Sequence, residues 1–267
     1  MNKIIAIGDL HGHHDQMIDL LDKLTHEHDI DFNTDTLVFL GDYVDGGSQS
    51  KQVLDELMAI KETFPHTVML FGNHESLLLD ALSDKHQIYG DYYLWWNQGG
   101  EETLNSFKPP QSMGISEYDR SIMQPKDLIT QEYIDFMRSL PIYHETDDYF
   151  FLHGGLYPNR SIEDHKKAAE FITPQNMQEG DMAYDMIWMR DPFIGSDYDW
   201  GKLIIFGHTT FPYGPYKAKD EDGESINEPG HPFVTDNKIG LDGMWLNEGR
   251  LMAVILPDKE FVYSYRT

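Results

Sequence analysis

The chain has 267 residues, of which 40% are hydrophobic and 25% are charged, the composition of an ordinary globular protein. It contains no cysteine, which excludes disulfide bonds, zinc–thiolate sites and thiol nucleophiles. Its formal net charge of −26, from 46 acidic and 20 basic residues, disfavours binding to nucleic acid and to anionic membranes.

The apolar segments are too short for export or membrane insertion. No apolar run approaches the roughly 18 residues that a membrane helix requires. The first residues, MNKIIAIGDLHGHH, turn polar after a short apolar stretch, which is too short for a secretory signal. We therefore expect a cytoplasmic protein that does not contact a membrane. A chain of this length is also compatible with one α/β domain spanning residues 1–267.

Three short apolar runs in the first third of the chain each end at a glycine followed by polar residues. The runs are predicted strands at 3–7, 36–40 and 67–71, and the segments behind them read GDLHG, GDYVDGG and GNHE. Between the strands, residues 16–25 and 52–62 carry apolar residues at helical spacing. This βαβαβ order places the strands parallel, with the polar residues together at the carboxyl edge of the sheet.

The rest of the chain repeats the pattern of a strand followed by glycine and a polar residue. A predicted strand at 149–152 precedes His153, and another at 203–206 precedes His208. The stretch from about 84 to 139 interrupts the pattern and is predicted to be a largely helical insertion. Strand-like runs at 251–256 and 261–265 predict a terminal hairpin that completes a second sheet.

Six polar residues behind these strands form one candidate metal-binding set. Each type alone is more often structural, since an aspartate after a strand commonly caps the next helix. Chance would have to place ligand types beside glycine behind five separate strands, which favours a site. The set suits two divalent ions such as Mn²⁺, Fe²⁺ or Zn²⁺. It comprises Asp9, His11, Asp42, Asn73, His153 and His208.

The blocks GDLHG, GDYVDGG and GNHE, in this order and spacing, resemble the three signature blocks of the phosphoprotein phosphatase (PPP) family of calcineurin-like metallophosphoesterases. The similarity continues through WWNQGGEETLNSF, LHGGLYP, MIWMRDPF and IIFGHT, so it covers most of the chain and includes the small bacterial serine/threonine phosphatases. The resemblance implies an α/β sandwich of two central mixed β-sheets flanked by helices, with metal ions at one edge.

The resemblance also implies a metal-dependent phosphoric ester hydrolase that uses two divalent ions. Mn²⁺ is the expected metal, with Fe²⁺/Fe³⁺ or Zn²⁺ as alternatives. By position, Asp9 and His11 would hold the first ion, Asp42 would bridge both, and the second ion would be held by Asn73, His153 and His208. A hydroxide shared by the two ions would attack phosphorus, without a phosphoenzyme.

Two further residues take catalytic roles by the same resemblance. His74 would protonate the leaving alkoxide, and Asp45 would fix the tautomer and orientation of His74. Arg190, in MIWMRDPF, resembles an arginine that binds phosphate oxygens, and Asn73 would also face the substrate. The alternative for Arg190 is a surface ion pair with Asp191.

The second block departs from the family pattern GDxVDRG, because Gly46 stands where the arginine is usual. That arginine clamps phosphate and pairs with the glutamate of GNHE, so Glu75 is expected to lack its partner. The loss can cost on the order of a few kcal/mol in the transition state. We expect weaker activity or a different substrate, with Lys51 as the nearest basic residue in sequence.

Three functions remain open from the sequence. The leading one is a phosphatase acting on phosphoprotein, at phosphoserine or phosphothreonine, or on a small phosphoester. The second is a dinucleoside polyphosphate (diadenosine tetraphosphate) hydrolase, against which Glu75 argues mildly because similar enzymes tend to read GNHD. The third is a catalytically weak interaction module, kept open by Gly46 and opposed by the intact ligand set. An aromatic cluster at 92–96 could stack on a nucleobase, although such clusters are usually buried.

Overall fold

The structure is a computed structural model that describes residues 2–83, 91–110, 113–114, 116–174, 176–219, 224–226, 230–245 and 248–266. Its strands, in chain order, are β1 (Ile4–Ile7), β2 (Thr36–Phe39), β3 (Thr67–Met69), β4 (Tyr143–Glu145), β5 (Tyr149–Leu152), β6 (Leu203–Phe206), β7 (Ala218–Lys219), β8 (Ser225–Ile226), β9 (Phe233–Val234), β10 (Lys238–Gly240), β11 (Met244–Trp245), β12 (Glu248–Gly249), β13 (Met252–Leu256) and β14 (Glu260–Tyr263). Its helices are α1 (His14–His26), α2 (Ser50–Thr63), α3 (Asn73–Leu82), α4 (Asp91–Trp95), α5 (Glu101–Phe107), α6 (Glu117–Ser121), α7 (Pro125–Leu128), α8 (Gln131–Arg138), α9 (Ile162–Ala169) and α10 (Met182–Trp188).

The first sheet has the order β14-β13-β1-β2-β3. Strands β1, β2 and β3 are parallel and are joined through α1 and α2, which confirms the predicted βαβαβ unit. The terminal hairpin was predicted to complete a second sheet, and this prediction is wrong. Strand β13 instead pairs antiparallel with β1, with Ile255 opposite Ile5. All five residues of β13 are buried, so the strand needs cover on both faces, and a position next to β1 supplies it.

The second sheet has the order β4-β5-β6-β10-β9. Its three middle strands are parallel, and the antiparallel strands β4 and β9 form its edges. The sequence predicted β5 and β6, but not β10, which lies beside β6 and has only three residues. Both sheets are therefore mixed, as the predicted fold class requires.

The two sheets pack face to face through an apolar layer. Residues of both sheets share this cluster, which contains Ala6, Val38, Leu40, Leu70, Phe151, Ile205, Ile239, Leu241, Met252, Val254 and Leu256. The opposite faces pack against helices in a second, larger cluster. Because β1, β2, β3, β5, β6 and β10 end near one another, the polar residues behind them meet at one edge of the sandwich.

The described residues of the predicted 84–139 insertion form helices α4 to α8. A π-helical turn at Trp96–Gly100 joins α4 to α5, with Gly99 in the left-handed region at φ 97°. Residues 84–90, 111–112 and 115 of that stretch lie outside the described part of the chain. Among the described helices, none combines the length and apolarity that crossing a bilayer demands.

Replacing Phe151 by alanine should destabilise the protein strongly. The side chain is fully buried between the sheets, so its removal leaves a cavity that costs about 3–5 kcal/mol of unfolding free energy. Denaturant titration of the purified protein measures this loss. Phe171, which is 78% exposed, provides the matched control, and Phe171→Ala should change stability by less than about 0.5 kcal/mol. Equal losses in the two variants would contradict the assigned inter-sheet core.

Candidate metal centre

Strained backbone concentrates where the strands end. His11, Asp42, Asp45 and His208 all have positive φ values, between 41° and 70°. A non-glycine residue in this left-handed region costs roughly 1–2 kcal/mol of stability. Four such residues at one edge indicate that the fold holds their side chains in an orientation that lowers its stability. The strain is therefore an observation in favour of a functional site, made independently of residue types.

Glycines let the acidic side chains approach the backbone of neighbouring strands. A Cβ on Gly207 would lie 2.0 Å from Asp9 Oδ1, and a Cβ on Gly72 would lie 2.3 Å from Asp42 Oδ1. Any other residue at either position would displace the carboxylate. The glycine next to each candidate ligand is thus required by space.

Each of the three candidate histidine ligands is tied by one ring nitrogen to a backbone carbonyl. His11 Nδ1 donates to Val44 O at 3.2 Å, His153 Nδ1 to Leu40 O at 2.9 Å, and His208 Nε2 to Trp188 O at 2.9 Å. A carbonyl oxygen can only accept, so the bonded nitrogen carries the proton. The other ring nitrogen of each neutral imidazole then carries a lone pair that faces the centre, the arrangement seen in metal-ligating histidines.

These lone pairs converge without a proton between them. Asn73 Oδ1 lies 2.9 Å from His153 Nε2 and 2.6 Å from His208 Nδ1, and His153 Nε2 lies 3.1 Å from Asp42 Oδ1. All four atoms are acceptors, so they repel one another unless a cation lies among them. Two ligands that each lie about 2.1 Å from one ion are about 3 Å apart, which matches this spacing. These residues therefore fit a divalent cation.

A second, more open group lies beside the first. His11 Nε2 is 3.7 Å from Asp42 Oδ2 and 4.0 Å from Asp9 Oδ2. Asp9 Oδ2 accepts the His208 backbone N–H at 2.8 Å, whereas the buried Asp9 Oδ1 has no hydrogen-bond partner among the described residues. A buried carboxylate oxygen without a hydrogen-bond partner is unfavourable unless a cation lies beside it. With Asp42 shared, the six predicted ligands thus lie in two adjoining groups.

The two histidines that flank the centre favour the neutral form. Burial and then the neighbouring His74 lower the pKa of His11. Burial and then His153 lower the pKa of His208 well below its ordinary value. A metal binds the unprotonated ring nitrogen, so both shifts prepare these side chains for ligation.

The two carboxylates respond differently to burial. Burial acts to raise the pKa of Asp42, but His153 and His74 outweigh it and hold the pKa of Asp42 well below its ordinary value. Burial, and then the charges of Asp242 and Asp42, raise the pKa of Asp9 well above its ordinary value. Asp9 thus lacks the compensating positive charge that Asp42 receives from His74. A cation at the open group would supply that charge.

His74 faces the same space but is held by a different partner. Its Nδ1 lies 2.9 Å from Asp45 Oδ2, and its Nε2 lies 3.9 Å from Asp42 Oδ2. Burial acts to lower the pKa of His74, but Asp42 and Asp45 outweigh it and raise the pKa to about 9. His74 Nε2 is close enough to Asp42 and His11 to share a cation with them, so geometry alone permits either a ligand or a proton donor.

Asp45 is fixed by residues to which the sequence analysis gave no role beside His74. Its Oδ1 accepts hydrogen bonds from Trp95 Nε1 at 3.0 Å and from Thr103 Oγ1 at 2.7 Å. Its backbone N–H donates to the same Thr103 oxygen at 2.8 Å. Trp95 is fully buried, as expected for the aromatic cluster, whereas Tyr93 is 66% exposed. The helices after residue 91 therefore orient the carboxylate that orients His74.

Glu75, which was expected to lack its arginine partner, is held by backbone groups instead. Glu75 is fully buried, and its two oxygens accept the backbone N–H groups of Asp42 at 3.0 Å, Tyr43 at 2.7 Å and Gly72 at 3.0 Å. Burial and then Asp42 raise the pKa of Glu75 to about 7, although the Tyr43 N–H acts to lower it. Glu75 thus shapes the loop that carries Asp42. Sequence reasoning missed this role because backbone donors leave no mark in the sequence.

A cavity of about 390 Å³ opens over both groups. Arg190 lines it and donates from one terminal nitrogen to His208 O at 3.0 Å, which favours the predicted place at the site over a surface pair with Asp191. Gly46, at φ 85°, and Gln98 also line the cavity. Lys51 instead pairs with Asp55 at 2.6 Å and is absent from the described lining, so it does not replace an arginine at Gly46.

Asp242 also lines this cavity, and sequence reasoning missed it. It is only 4% exposed, and it follows β10 through Gly240 and Leu241. The segment KIGLDG resembles the pattern of an apolar residue, glycine and an acid, with Leu241 inserted between the glycine and the acid, and could have revealed it. The preceding strand, β10, has only three residues and begins with a lysine. Its residues therefore do not form a recognisable apolar run.

Comparison with known proteins gives a family match and more distant relatives. A model of the calcineurin-like phosphoesterases matches residues 2–241. The symmetrical bis(5'-nucleosyl)-tetraphosphatase of Nitrosomonas europaea is 29% identical over 170 residues, 62% of this chain and 50% of that protein. The serine/threonine-protein phosphatase PP1-delta of Caenorhabditis elegans is 26% identical over 190 residues, 71% of this chain and 50% of that protein. The chain thus spans about half the length of these curated relatives.

A solved structure shares the fold. The crystal structure of a proposed diadenosine tetraphosphatase has a TM-score of 0.57 to this chain at 18% sequence identity, covering 99% of this chain and 93% of that one. At this identity the likeness concerns the architecture of two sheets and flanking helices. The chemistry is therefore inferred from the residues of the site.

Replacing Thr103 by valine should destabilise the protein by about 1–3 kcal/mol, because the buried Asp45 carboxylate loses a donor and its N–H loses an acceptor. Guanidinium denaturation in the presence of a chelator measures this loss without contribution from metal. Thr103→Ser keeps the hydroxyl and should lose less than about 1 kcal/mol. A valine variant as stable as the wild type would show that Asp45 does not depend on Thr103.

Proposed function

The chain belongs to the calcineurin-like phosphoesterases, and on that basis we propose that it is a metal-dependent phosphatase that hydrolyses phosphate monoesters. Phosphoserine and phosphothreonine in proteins are the leading substrate class. The observation that carries the proposal is the convergence of unprotonated ligand atoms around Asn73 Oδ1, with His74, which is paired with the buried Asp45, lining the adjoining cavity. A scaffold that only binds a partner has no need for a histidine held beside such a group.

Two divalent ions fit the donor set. Asp9, His11 and Asp42 would hold the first, and Asp42 with Asn73, His153 and His208 would hold the second. The mix of carboxylate, amide and imidazole suits Mn²⁺, Fe²⁺ or Zn²⁺, and Mn²⁺ is our choice because oxygen donors are abundant. When bound, such ions supply Lewis acidity and lower the pKa of a water nucleophile.

His74 would act as the general acid. A carboxylate can only accept a hydrogen bond, so Asp45 fixes the His74 proton on Nδ1 and turns Nε2 towards the cavity. A protonated Nε2 can donate to the leaving alkoxide as the ester bond breaks. The neighbouring Asn73 side chain is buried among the second group of ligands, which leaves His74 as the member of GNHE that faces substrate.

Arg190 would bind the phosphoryl group. It lines the cavity, and its bond to His208 O uses one N–H of a guanidinium that carries five, so the others remain for phosphate oxygens. It is the one guanidinium among the described residues that line this cavity. Productive binding of a phosphate dianion therefore depends on Arg190 together with the metal ions.

Hydrolysis of dinucleoside polyphosphates is the second candidate. Similarity to the Nitrosomonas tetraphosphatase favours it. A further cleft of about 430 Å³ adjoins the first cavity across Arg190 and Tyr213, with Tyr157 and Trp188 on its walls. Aromatic walls at that position could hold the nucleoside of a long substrate, whereas a phosphorylated side chain needs only the first cavity.

Turnover of three substrates by the Mn²⁺-loaded protein tests these proposals: an aryl phosphate, a phosphothreonine peptide and diadenosine tetraphosphate. Asp42→Asn should abolish turnover, because the shared ligand is lost, and His74→Asn should lower kcat by about 10²–10⁴-fold. Asp22→Asn and His26→Asn make the same changes at exposed positions of α1 and should leave kcat unchanged. The preferred substrate decides between the two activities.

Absence of turnover on all three substrates, in protein that binds two metal ions, would contradict both enzymatic proposals. It would favour the alternative of a catalytically weak phosphatase-like interaction module. Turnover that survives Asp42→Asn would instead contradict the assignment of Asp42 as the shared ligand.

Gly46→Arg should raise kcat/KM for the aryl phosphate by roughly tenfold, because it adds a second guanidinium to the cavity lining. The same variant should lose about 1–2 kcal/mol of stability, since φ at this position is 85°. Gly46→Met is the matched control: it carries the same backbone strain without the charge. Steady-state kinetics and thermal denaturation of both variants separate the two effects. An equal change of kcat/KM in both would show that charge is not the missing element.

A further inference from the structure

Asp242 occupies the same kind of position as the predicted ligands. It lies just beyond the carboxyl end of β10, which is parallel to and paired with β6, the strand that precedes His208. Gly8, beside Asp9, packs so closely on the Asp242 segment that an added Cβ would lie 2.0 Å from Leu241 O. The loops that carry Asp9 and Asp242 are therefore in direct contact at the edge where the two sheets meet.

The Asp242 carboxylate is held in place by neutral groups. Thr210 Oγ1 donates to its Oδ2 at 2.7 Å, and the Met244 N–H donates to its Oδ1 at 3.1 Å. Asp242 is 4% exposed and lines the cavity together with His11 and Asp42. A buried carboxylate beside other buried carboxylates is unfavourable unless positive charge lies nearby.

The two metal positions differ in how completely this chain surrounds them. At the second position, the closest pairs of ligand atoms lie 2.6–3.1 Å apart. At the first, His11 Nε2 lies 3.7–4.0 Å from the oxygens of Asp9 and Asp42. The first position has three protein ligands and the second has four. More of the coordination is therefore left to water at the first position. Asp242 lies on the side of the less complete position.

We propose that Asp242 is an outer carboxylate of the first metal position, which raises the affinity of that position for a cation without ligating it. This inference rests on the proposed two-metal function. The carboxylate acts through its charge and by accepting hydrogen bonds from the water that completes the coordination of the ion. Thr210 is its positioning residue. The first position thereby has mainly oxygen around it, whereas the second has two oxygen and two nitrogen donors, which favours Mn²⁺ over softer ions at the first.

Calorimetric titration of the chelator-treated protein with Mn²⁺ tests the inference independently of activity. The wild type should bind two ions. Asp242→Asn, which keeps the shape of the side chain, should leave one affinity unchanged and weaken the other by about 10–100-fold. Asp236→Asn removes the same charge at an exposed position six residues away and should bind Mn²⁺ as the wild type does. Thr210→Val, which removes one donor to Asp242, should weaken the same step by a few-fold.

Unchanged Mn²⁺ affinities in a folded Asp242→Asn protein would overturn the proposal, as would a wild type that binds fewer than two ions. If Asp242→Asn does not fold, Thr210→Val decides: a weaker first position supports the proposal and unchanged binding overturns it. The proposed function fails separately, when two ions bind with the expected asymmetry and no phosphate ester is hydrolysed.

Discussion

Three acceptor atoms that meet without a proton organise this protein. The Asn73 oxygen lies between the lone pairs of His153 Nε2 and His208 Nδ1, and the two distances of 2.9 and 2.6 Å are repulsive in the absence of a cation. The His208 imidazole does not relieve the repulsion by taking up a proton, because burial and neighbouring charges lower its pKa well below the ordinary value. The free energy that holds these atoms together must come from the packing of the two sheets, and a cation would return part of it on binding.

The fold holds these atoms together by placing each candidate ligand behind a strand that is packed in the core. Phe151, Ile205 and Val38 fix the spacing of the sheets, and the chain turns sharply as soon as each strand ends. The turns adopt left-handed backbone at ligands such as Asp42, and glycines make room for the carboxylates. Glu75, in α3, accepts hydrogen bonds from three backbone N–H groups and thereby fixes the loop that carries Asp42. Strain at the edge is thus offset by burial in the sandwich.

The sequence predicted the first sheet's βαβαβ unit and the six candidate ligands because strands followed by glycine and a polar residue are local patterns. It failed where the information is not local. The partner of the terminal hairpin depends on which strand edge is left open, and β13 in fact pairs with β1. Glu75 finds its partners in backbone groups, which every sequence contains. Asp242 follows a strand of three residues that begins with the buried Lys238, so no clear apolar run precedes it in the sequence.

Gly46 and Asp242 both affect the balance of charge at the site. Five acidic side chains converge there: Asp9, Asp42, Asp45, Glu75 and Asp242 are all buried. Among the described lining residues, Arg190 supplies the one guanidinium, and Gly46 adds none. Two divalent ions, if bound as proposed, would nearly neutralise the five carboxylates, so a phosphate dianion would meet little surplus positive charge beyond Arg190. If Asp242 has the proposed role, an additional carboxylate at the first position would strengthen metal binding and, for the same reason, weaken the attraction for an anionic substrate.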